Sequence, residues 1–262
     1  MILAVDVGNT NIVFGGFDNN GELSFISRLN TQVSRMEDQY AIKLKDILSL
    51  YGFENAAVTG CIISSVVSPI TPILEKGIEK LCNVKPIIVS PGIKTGLNIL
   101  MDQPRQVGSD QIVDAVAALK VYGAPAIIID MGTATTMSVV DENENYIGGV
   151  ILPGIRVSVD SLVSRTAQLP RIALDAPKSV MGKNTIDCMK SGVVYGNASC
   201  IDGMIDRMIE ANGFNKNGTK AVTIVATGGL SEVIIPHCRH DIKVDPGLLL
   251  KGLSIIYDKN VE

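Results

Sequence analysis

The chain carries one strand–turn–strand pattern twice, and this repeat limits the available folds more than any other feature. The copies are AVDVGNTNIVFG and IIDMGTATTMSVV. They superpose at these positions: Asp6 on Asp130, Gly8 on Gly132, Asn9 on Thr133 and Asn11 on Thr135. In each copy an apolar run predicts a buried strand that ends on a carboxylate. Because the interval between the copies is the length of a small α/β domain, the repeat predicts two similar domains.

Between and after the two copies, strand-like and helix-like segments alternate. MEDQYAIKLKDILSLYG and GSDQIVDAVAALKVYG have helical spacing, whereas AAVTGCIISSVV and AVTIVATGG are typical of buried strands. We therefore predict an α/β fold with an N-terminal domain over residues 1–110 and a C-terminal domain over residues 111–262. Ligands of α/β proteins bind at strand ends and between domains, so we expect the two turns to face one cleft.

Composition argues against several classes of partner. The net charge of −4 and the pI of about 5.3 do not favour nucleic acid or an anionic membrane surface. No apolar run is long enough to span a bilayer, and MILAVDVG is not preceded by the positive region of a secretory signal. The five cysteines are scattered and none forms a CxxC pair. This distribution is typical of reduced thiols rather than of a disulfide framework. We expect a cytoplasmic protein with no nucleic-acid or membrane partner.

The two turns have the chemistry of a phosphate site. Their glycines allow a tight turn and close approach of a ligand to the backbone. Exposed N–H groups and the hydroxyls of Thr10 and Thr133 suit phosphate oxygens, and the carboxylates of Asp6 and Asp130 suit Mg²⁺ or a monovalent cation. A single copy would be better explained as a hairpin turn in which Asp caps local N–H groups. Two copies in matched context favour the phosphate site.

A third glycine turn lies near the end of the chain. VATGGL places Gly228 and Gly229 after a predicted strand, where glycines let a nucleotide lie against the backbone. The chain contains no Walker A motif, no GxGxxG and no GxSxG. P-loop, Rossmann and common esterase sites are therefore unsupported.

These motifs together resemble a known superfamily. A strand ending in Asp-x-Gly, repeated and followed by Thr-Gly-Gly, is similar to the actin, sugar kinase and Hsp70 superfamily. DVGNTN, VGSDQ, DMGTATT and GGVILPG, supported by SSVV, PGIKTGL and GKNT, resemble the type III pantothenate kinases over essentially the whole chain. The resemblance implies two tandem actin-like, ribonuclease-H-like domains with ATP in the cleft between them. It also implies transfer of the γ-phosphoryl group to pantothenate, the first step toward coenzyme A.

The resemblance further implies a role for particular residues. ATP would be bound by Asp6, Val7, Gly8, Asn9, Thr10, Asn11, Ile12, Val13, Thr133, Gly228 and Gly229. Asp6 would hold Mg²⁺ and Asp130 a monovalent cation, K⁺ or NH₄⁺. Asp110 would accept the proton of the substrate hydroxyl. Pantothenate would be bound by Met101, Gly108, Ser109, Asp110, Gln111 and Thr185, the last of these across the interface of a homodimer.

Two positions depart from the family pattern on the acceptor side. Gln111 stands where the family usually has Arg, and Met101 where it often has Tyr. Losing a charge-assisted hydrogen bond to a carboxylate costs about 1.5–3 kcal/mol, or roughly ten- to a hundred-fold in affinity. Gln111 could be a tolerated variation, weaken or alter acceptor binding, or be compensated by Arg105 or Arg165. It could also mark a non-catalytic or partner-dependent homologue, such as a nucleotide-binding regulatory subunit or a heteromer with a paralogue.

Two other features are ambiguous. His237, Cys238 and His240 form the tight cluster HCRH, which lacks a fourth ligand at zinc-like spacing, so we expect a surface or structural role. Asp114 lies four residues after Asp110 on the same helix face, where it could assist the base or be solvated.

Overall fold

The computed structural model describes residues 1–215 and 220–261. The chain forms two compact units, each built from separate segments. The first unit comprises Met1–Gly96, Gln103–Ala117 and the C-terminal segment from Gly247, and the second comprises Leu97–Asp102 and Ala118–Pro246. Each unit has its own sheet and its own hydrophobic core.

The strands and helices of the described residues follow in chain order. The strands are β1 (Ile2–Val7), β2 (Asn11–Phe17), β3 (Leu23–Asn30), β4 (Gly60–Ser65), β5 (Ile87–Ile88), β6 (Asn98–Ile99), β7 (Ala126–Met131), β8 (Ala134–Val140), β9 (Asn145–Pro153), β10 (Thr223–Thr227) and β11 (Lys243–Val244). The helices are α1 (Glu37–Leu50), α2 (Thr71–Cys82), α3 (Ser109–Tyr122), α4 (Ile155–Arg165), α5 (Thr185–Asn212), α6 (Ser231–Ile234) and α7 (Leu248–Val261).

The sheet of the first unit has the order β3-β2-β1-β4-β5. β1 is antiparallel to β2 and parallel to β4, and most residues of these two parallel strands are buried. That explains their continuous apolar sequence, since a central parallel strand is covered on both faces. α1 packs against this core with Tyr40, Leu44, Ile47 and Leu48, which recur at the spacing of one helix face.

The sheet of the second unit has the order β11-β10-β7-β8-β9-β6. β7 is antiparallel to β8 and parallel to β10, as β1 is to β2 and β4. α5 contributes Val194, Ala198, Ile201 and Ile205 to the core of this unit. Within residues 1–215 and 220–261, no helix combines the length and the apolar character needed to cross a membrane.

The repeat predicted from the sequence is present in the topology, but its alignment shifts after the turn. The order β3-β2-β1-β4-β5 of the first sheet corresponds to the order β9-β8-β7-β10-β11 within the second sheet. Corresponding pairs of neighbouring strands are parallel or antiparallel in the same way in both sheets. In the first hairpin Val7 pairs with Ile12, whereas in the second Met131 pairs with Thr135. The second turn is therefore one residue shorter. The predicted match of Asn11 to Thr135 is wrong, because Asn11 corresponds to Ala134 in the register of the two hairpins.

Candidate active site

The first turn begins where β1 ends, between two neighbouring strands. Asp6 pairs with Val13 of β2 and with Ser64 of β4. The backbone N–H of Gly8 donates to the carbonyl oxygen of Asn11 at 3.0 Å, which closes the turn. A Cβ on Gly8 would lie 3.1 Å from that oxygen, so the tight closure favours glycine. Residues 9–11 are exposed at the end of the strand, where their polar groups can meet a ligand.

The end of β3 holds this turn in shape. The Thr31 hydroxyl donates to the carbonyl oxygen of Gly8 at 2.7 Å. The backbone N–H of Thr31 donates to the carbonyl oxygen of Thr10 at 2.9 Å. Thr31 was not among the residues predicted from the sequence, because its contacts join positions that are distant in the chain. The two bonds fix the carbonyls of the turn, so its geometry is set before a ligand binds.

Serine hydroxyls attach the N-terminus of α3 to the end of β4. The Oγ atoms of Ser64 and Ser109 lie 3.1 Å apart, and Ser109 Oγ donates to the carbonyl oxygen of Ser65 at 3.3 Å. Since one hydroxyl has a single proton to donate, Ser64 donates to Ser109 in this arrangement. β4 lies beside β1 in the sheet, so these bonds bring the start of α3, with Asp110, to the edge where the first turn lies.

The Asp110 carboxylate is held against the start of its own helix. Its Oδ1 accepts the backbone N–H of Gln111 at 2.8 Å. A Cβ at Gly108 would collide with the same oxygen, so glycine is needed for the carboxylate to lie there. Burial raises the pKa of Asp110 above its ordinary value, and the backbone N–H groups of Gln111 and Asp110 oppose that shift. A carboxylate with a raised pKa is a stronger base.

The second turn brings together a predicted cation ligand and a predicted nucleotide-site glycine. Asp130, next to the end of β7, pairs with Thr136 of β8 and with Thr227 of β10. Gly228 follows β10 with a φ of +90°, and a Cβ there would lie 2.6 Å from Asp130 Oδ1. Among the described residues, nothing lies within 4 Å of a Cβ added to Gly229. Gly228 therefore packs directly on the carboxylate, and Gly229 borders open space.

Thr133 is exposed at the tip of the second turn, and Gly154 supports it. The backbone N–H of Gly154 donates to the carbonyl oxygen of Thr133 at 3.1 Å. A Cβ on Gly154 would collide with that oxygen and lie 2.7 Å from the carbonyl oxygen of Gly132. Gly154 was not predicted as a site residue, although it ends the motif GGVILPG. It allows the chain after β9 to pass against the turn.

The remaining predicted acceptor residues lie in different parts of the chain. Met101 and Thr185 belong to the second unit, whereas Gly108, Ser109 and Gln111 belong to the first. Met101 is at the borderline of exposure, and its sulfur would be 4.0 Å from a Cβ on Gly148. Thr185 is the exposed first residue of α5.

Arg105 and Arg165 are the two arginines predicted as possible replacements for a charge at position 111. Arg105 is exposed in the short 3₁₀ helix Pro104–Gln106, and Arg165 is the exposed last residue of α4. Compensation by either residue stays a prediction.

The ambiguous features of the sequence have structural explanations. Asp202 of α5 accepts the backbone N–H of Arg239 at 3.0 and 2.9 Å and that of His240 at 3.3 Å, which anchors the HCRH segment. The ring of His240 lies 2.9 Å from a carboxylate oxygen of Asp206. These contacts give the segment a structural role. Asp114 is only 2% exposed, so its reading as a solvated residue is wrong.

No group of three or more His, Cys, Asp or Glu side chains that could hold a metal ion occurs in residues 1–215 and 220–261. A cation that is held mainly by substrate phosphates and water does not require such a group. Mg²⁺ in phosphoryl-transfer sites commonly uses one or two protein carboxylates. The donors at the first turn, with the single carboxylate of Asp6, therefore fit a phosphate-bound Mg²⁺.

Comparisons with known proteins agree with this arrangement. The family model described as type III pantothenate kinase matches residues 2–207. A type III pantothenate kinase of Bacillus cytotoxicus is 44% identical over 260 residues, which cover 99% of this chain and 97% of that protein.

Solved structures show the same fold at low identity. The conserved putative Baf family transcriptional activator of Campylobacter jejuni superposes with a TM-score of 0.60 at 21% identity, covering 99% of this chain and 98% of that one. Component A of (R)-2-hydroxyglutaryl-CoA dehydratase from Acidaminococcus fermentans gives a TM-score of 0.57 at 14% identity, covering 100% and 99%. With the matching strand orders, these neighbours confirm the predicted α/β class of tandem actin-like domains. From the family model and the full-length relative, the chain belongs to the type III pantothenate kinase family.

Proposed function

We infer that this protein is an ATP-dependent kinase that phosphorylates pantothenate to 4′-phosphopantothenate, the first step of coenzyme A biosynthesis. The observation that carries this conclusion is the 44% identity to a type III pantothenate kinase over 99% of the chain. The carboxylates of Asp6, Asp110 and Asp130 are all present at strand or helix ends. A non-catalytic or partner-dependent homologue is not favoured, because the similarity to the kinase extends over nearly the whole chain.

The first turn, Asp6–Val13, is proposed to bind the phosphates of ATP. Its exposed polar residues and its closed backbone offer donors to phosphate oxygens, and the Asp6 carboxylate offers a ligand to Mg²⁺. Mg²⁺ supplies neutralisation of the phosphate charge when it is bound. Thr31 supports this role because it fixes two carbonyls of the turn.

Asp110 is proposed to accept the proton of the pantothenate hydroxyl. Phosphoryl transfer depends mainly on positioning and charge stabilisation, with one carboxylate to orient the attacking hydroxyl. Asp110 suits this task because Gly108 leaves room for its carboxylate and because burial raises its pKa. Gly108, Ser109 and Gln111 are proposed to position the acceptor around it.

The second turn is proposed to hold a monovalent cation and to contact the nucleotide. Asp130 provides the carboxylate, and Gly228 packs against that carboxylate. Thr133 and Gly229 are proposed to contact ATP, since the first is exposed at the tip of the turn and the second borders open space. K⁺ or NH₄⁺ would supply a further positive charge near the phosphates.

We propose that the protein is a cytoplasmic homodimer in which Thr185 of one copy contacts the acceptor of the other. Exposed apolar side chains next to Thr185 support an interface there: Val180 is 62% exposed, Met181 80% and Ile186 47%. Such side chains near one another are typical of protein–protein contacts. Met101 stays a prediction for the acceptor site.

The purified protein should be mixed with pantothenate, MgATP and KCl, and the products analysed by mass spectrometry. We expect 4′-phosphopantothenate and ADP in equal amounts, with a lower rate when NaCl replaces KCl. If no product forms over a wide range of pantothenate concentrations, the homomeric kinase is contradicted. In that case Gln111→Arg tests whether the acceptor site alone is at fault.

A further inference from the structure

Arg35 lies in the loop between β3 and α1, and one of its side-chain nitrogens is buried. Within residues 1–215 and 220–261, its Nη1 atom is almost fully screened from solvent and has no hydrogen-bond acceptor. Arginine keeps its charge at any physiological pH, and a buried charged donor is unfavourable unless it is paired. The guanidinium therefore meets the first requirement for binding an anion.

The guanidinium lies over a buried aromatic ring. Its central carbon lies 5.8 Å from the centre of the Tyr40 ring, and Tyr40 is only 1% exposed. The Tyr40 hydroxyl donates to the carbonyl oxygen of Gln32 at 2.9 Å, and the backbone N–H of Arg35 donates to the same oxygen at 3.2 Å. Contact with an aromatic face orients the cation. The Tyr40 ring therefore favours an orientation in which the Arg35 guanidinium lies over its face.

The loop that carries Arg35 is attached to the first turn. Thr31, which precedes the loop, makes its two hydrogen bonds to the carbonyls of Gly8 and Thr10. The bond from Arg35 to Gln32 closes a four-residue turn, which keeps their Cα atoms within about 7 Å. Arg35 therefore follows directly on a segment that contacts the proposed phosphate-binding backbone.

The first turn has no positive side chain of its own. Residues 6–13 read DVGNTNIV and residues 31–34 read TQVS, with neither Lys nor Arg among them. Phosphate binding and phosphoryl transfer both gain from a fixed positive charge in a dry position. The planar fork of an arginine matches two phosphate oxygens, which a lysine cannot do.

We propose that Arg35 is an anion-binding residue of the first turn, and that its guanidinium pairs with a phosphate oxygen of the nucleotide. This proposal rests on the proposed function, since it takes the turn as the phosphate site. The buried nitrogen then gains an acceptor in the nucleotide complex, and Tyr40 acts as a positioning residue for the guanidinium.

The test measures nucleotide binding in the absence of pantothenate. Isothermal titration with MgATP should compare the wild type with Arg35→Met, which keeps a stem over Tyr40 but removes the charge. We expect about ten- to a hundred-fold weaker binding, with partial recovery in Arg35→Lys. Lys45→Met is the control, because it removes one exposed positive charge from α1 and should bind as the wild type does.

Thermal unfolding separates this role from a structural one. Since Arg35→Met removes a buried donor that lacks an acceptor, its melting temperature without ligand should not fall below that of the wild type. The stabilisation by MgATP should be smaller. A purely structural role predicts the reverse, with a lower melting temperature and unchanged nucleotide affinity.

Three outcomes would overturn the proposal in distinguishable ways. Nucleotide affinity of Arg35→Met within twofold of the wild type would remove Arg35 from the site. If the nucleotide affinity is unchanged and separate initial-rate measurements show a raised KM for pantothenate, the assignment to phosphate is overturned in favour of the acceptor carboxylate. A wild type that binds no MgATP would overturn the proposed function as well.

Discussion

Adding one methyl group at Gly108 is expected to disable the reaction while leaving the fold intact. A Cβ at this position would collide with Asp110 Oδ1 and lie 3.5 Å from Asp110 Cγ. Gly108 does not have a positive φ, so alanine adds no backbone strain. The substitution therefore acts chiefly on the carboxylate, which must rotate away from its position at the start of α3.

The structure allows the size of the effect to be worked out. Turning the carboxylate about 30° from a preferred rotamer costs about 0.5–1.5 kcal/mol. Losing its 2.8 Å hydrogen bond from the Gln111 N–H costs about 1 kcal/mol more. The expected loss of stability is thus about 2 kcal/mol. A displacement of about 1 Å in a reacting group costs about 10²-fold in rate, so kcat of Gly108→Ala should fall by about that factor.

Initial rates of phosphopantothenate formation and urea unfolding should be measured on the same preparation. Gly196→Ala in α5 is the matched control, because in the part of the chain that the structure describes no atom beyond its chain neighbours and the backbone of its own helix lies within 4 Å of the added Cβ. It should keep wild-type activity and gain about 0.5–1 kcal/mol from better helix propensity. The reasoning is refuted if Gly108→Ala has wild-type kcat, or if its activity falls only as far as its folded fraction falls.

Three further substitutions, the last with a control variant, test other features of the structure. Burial raises the pKa of Asp110 in the folded protein. The contribution of Asp110 to stability is therefore present in full below its unfolded pKa and is lost as pH rises through its folded pKa. Asp110→Asn should melt at a higher temperature than the wild type near neutral pH, and this difference should vanish in acid. Gly228→Ala should lose more than the about 1–2 kcal/mol that its φ of +90° costs, because the added Cβ would also lie 2.6 Å from the backbone N and C atoms of Met131. It should weaken the activation by K⁺ in rate titrations, because the same Cβ would lie 2.6 Å from Asp130 Oδ1. Asp202→Ala should lose about 1–3 kcal/mol of unfolding free energy in urea, since it leaves the backbone N–H groups of Arg239 and His240 unpaired. Asp206→Ala is the control: the Asp206 side chain is 71% exposed, so its removal should cost less than about 1 kcal/mol.

Local patterns were enough to predict the fold class, because the repeat and the apolar periodicity are visible without a structure. Two strands were missed, namely Asn98–Ile99 and Lys243–Val244, since a two-residue edge strand leaves no periodic signal. The register of the second hairpin was also wrong by one residue. Pairing depends on which N–H closes the turn, and the apolar pattern on either side of the turn does not reveal it.

The site was predictable where its residues lie in motifs, and less so where distant contacts shape it. Asp110 was identified from the resemblance of VGSDQ to the family pattern and Gly228 from the local motif VATGGL, although their roles stay predictions. Thr31 and Arg35 were missed because their importance depends on contacts with the first turn and with Tyr40. Side-chain packing of this kind brings together positions whose separation in the chain has no characteristic spacing.

The measurement that tests the central claim most directly is kcat for pantothenate phosphorylation by Asp110→Asn, together with its affinity for MgATP. Asparagine keeps the size of the side chain but cannot accept the hydroxyl proton as a base. The account predicts a fall in kcat of about 10²–10⁴-fold with nucleotide affinity unchanged. An Asp110→Asn enzyme with near wild-type kcat would contradict the assignment of Asp110 as the base.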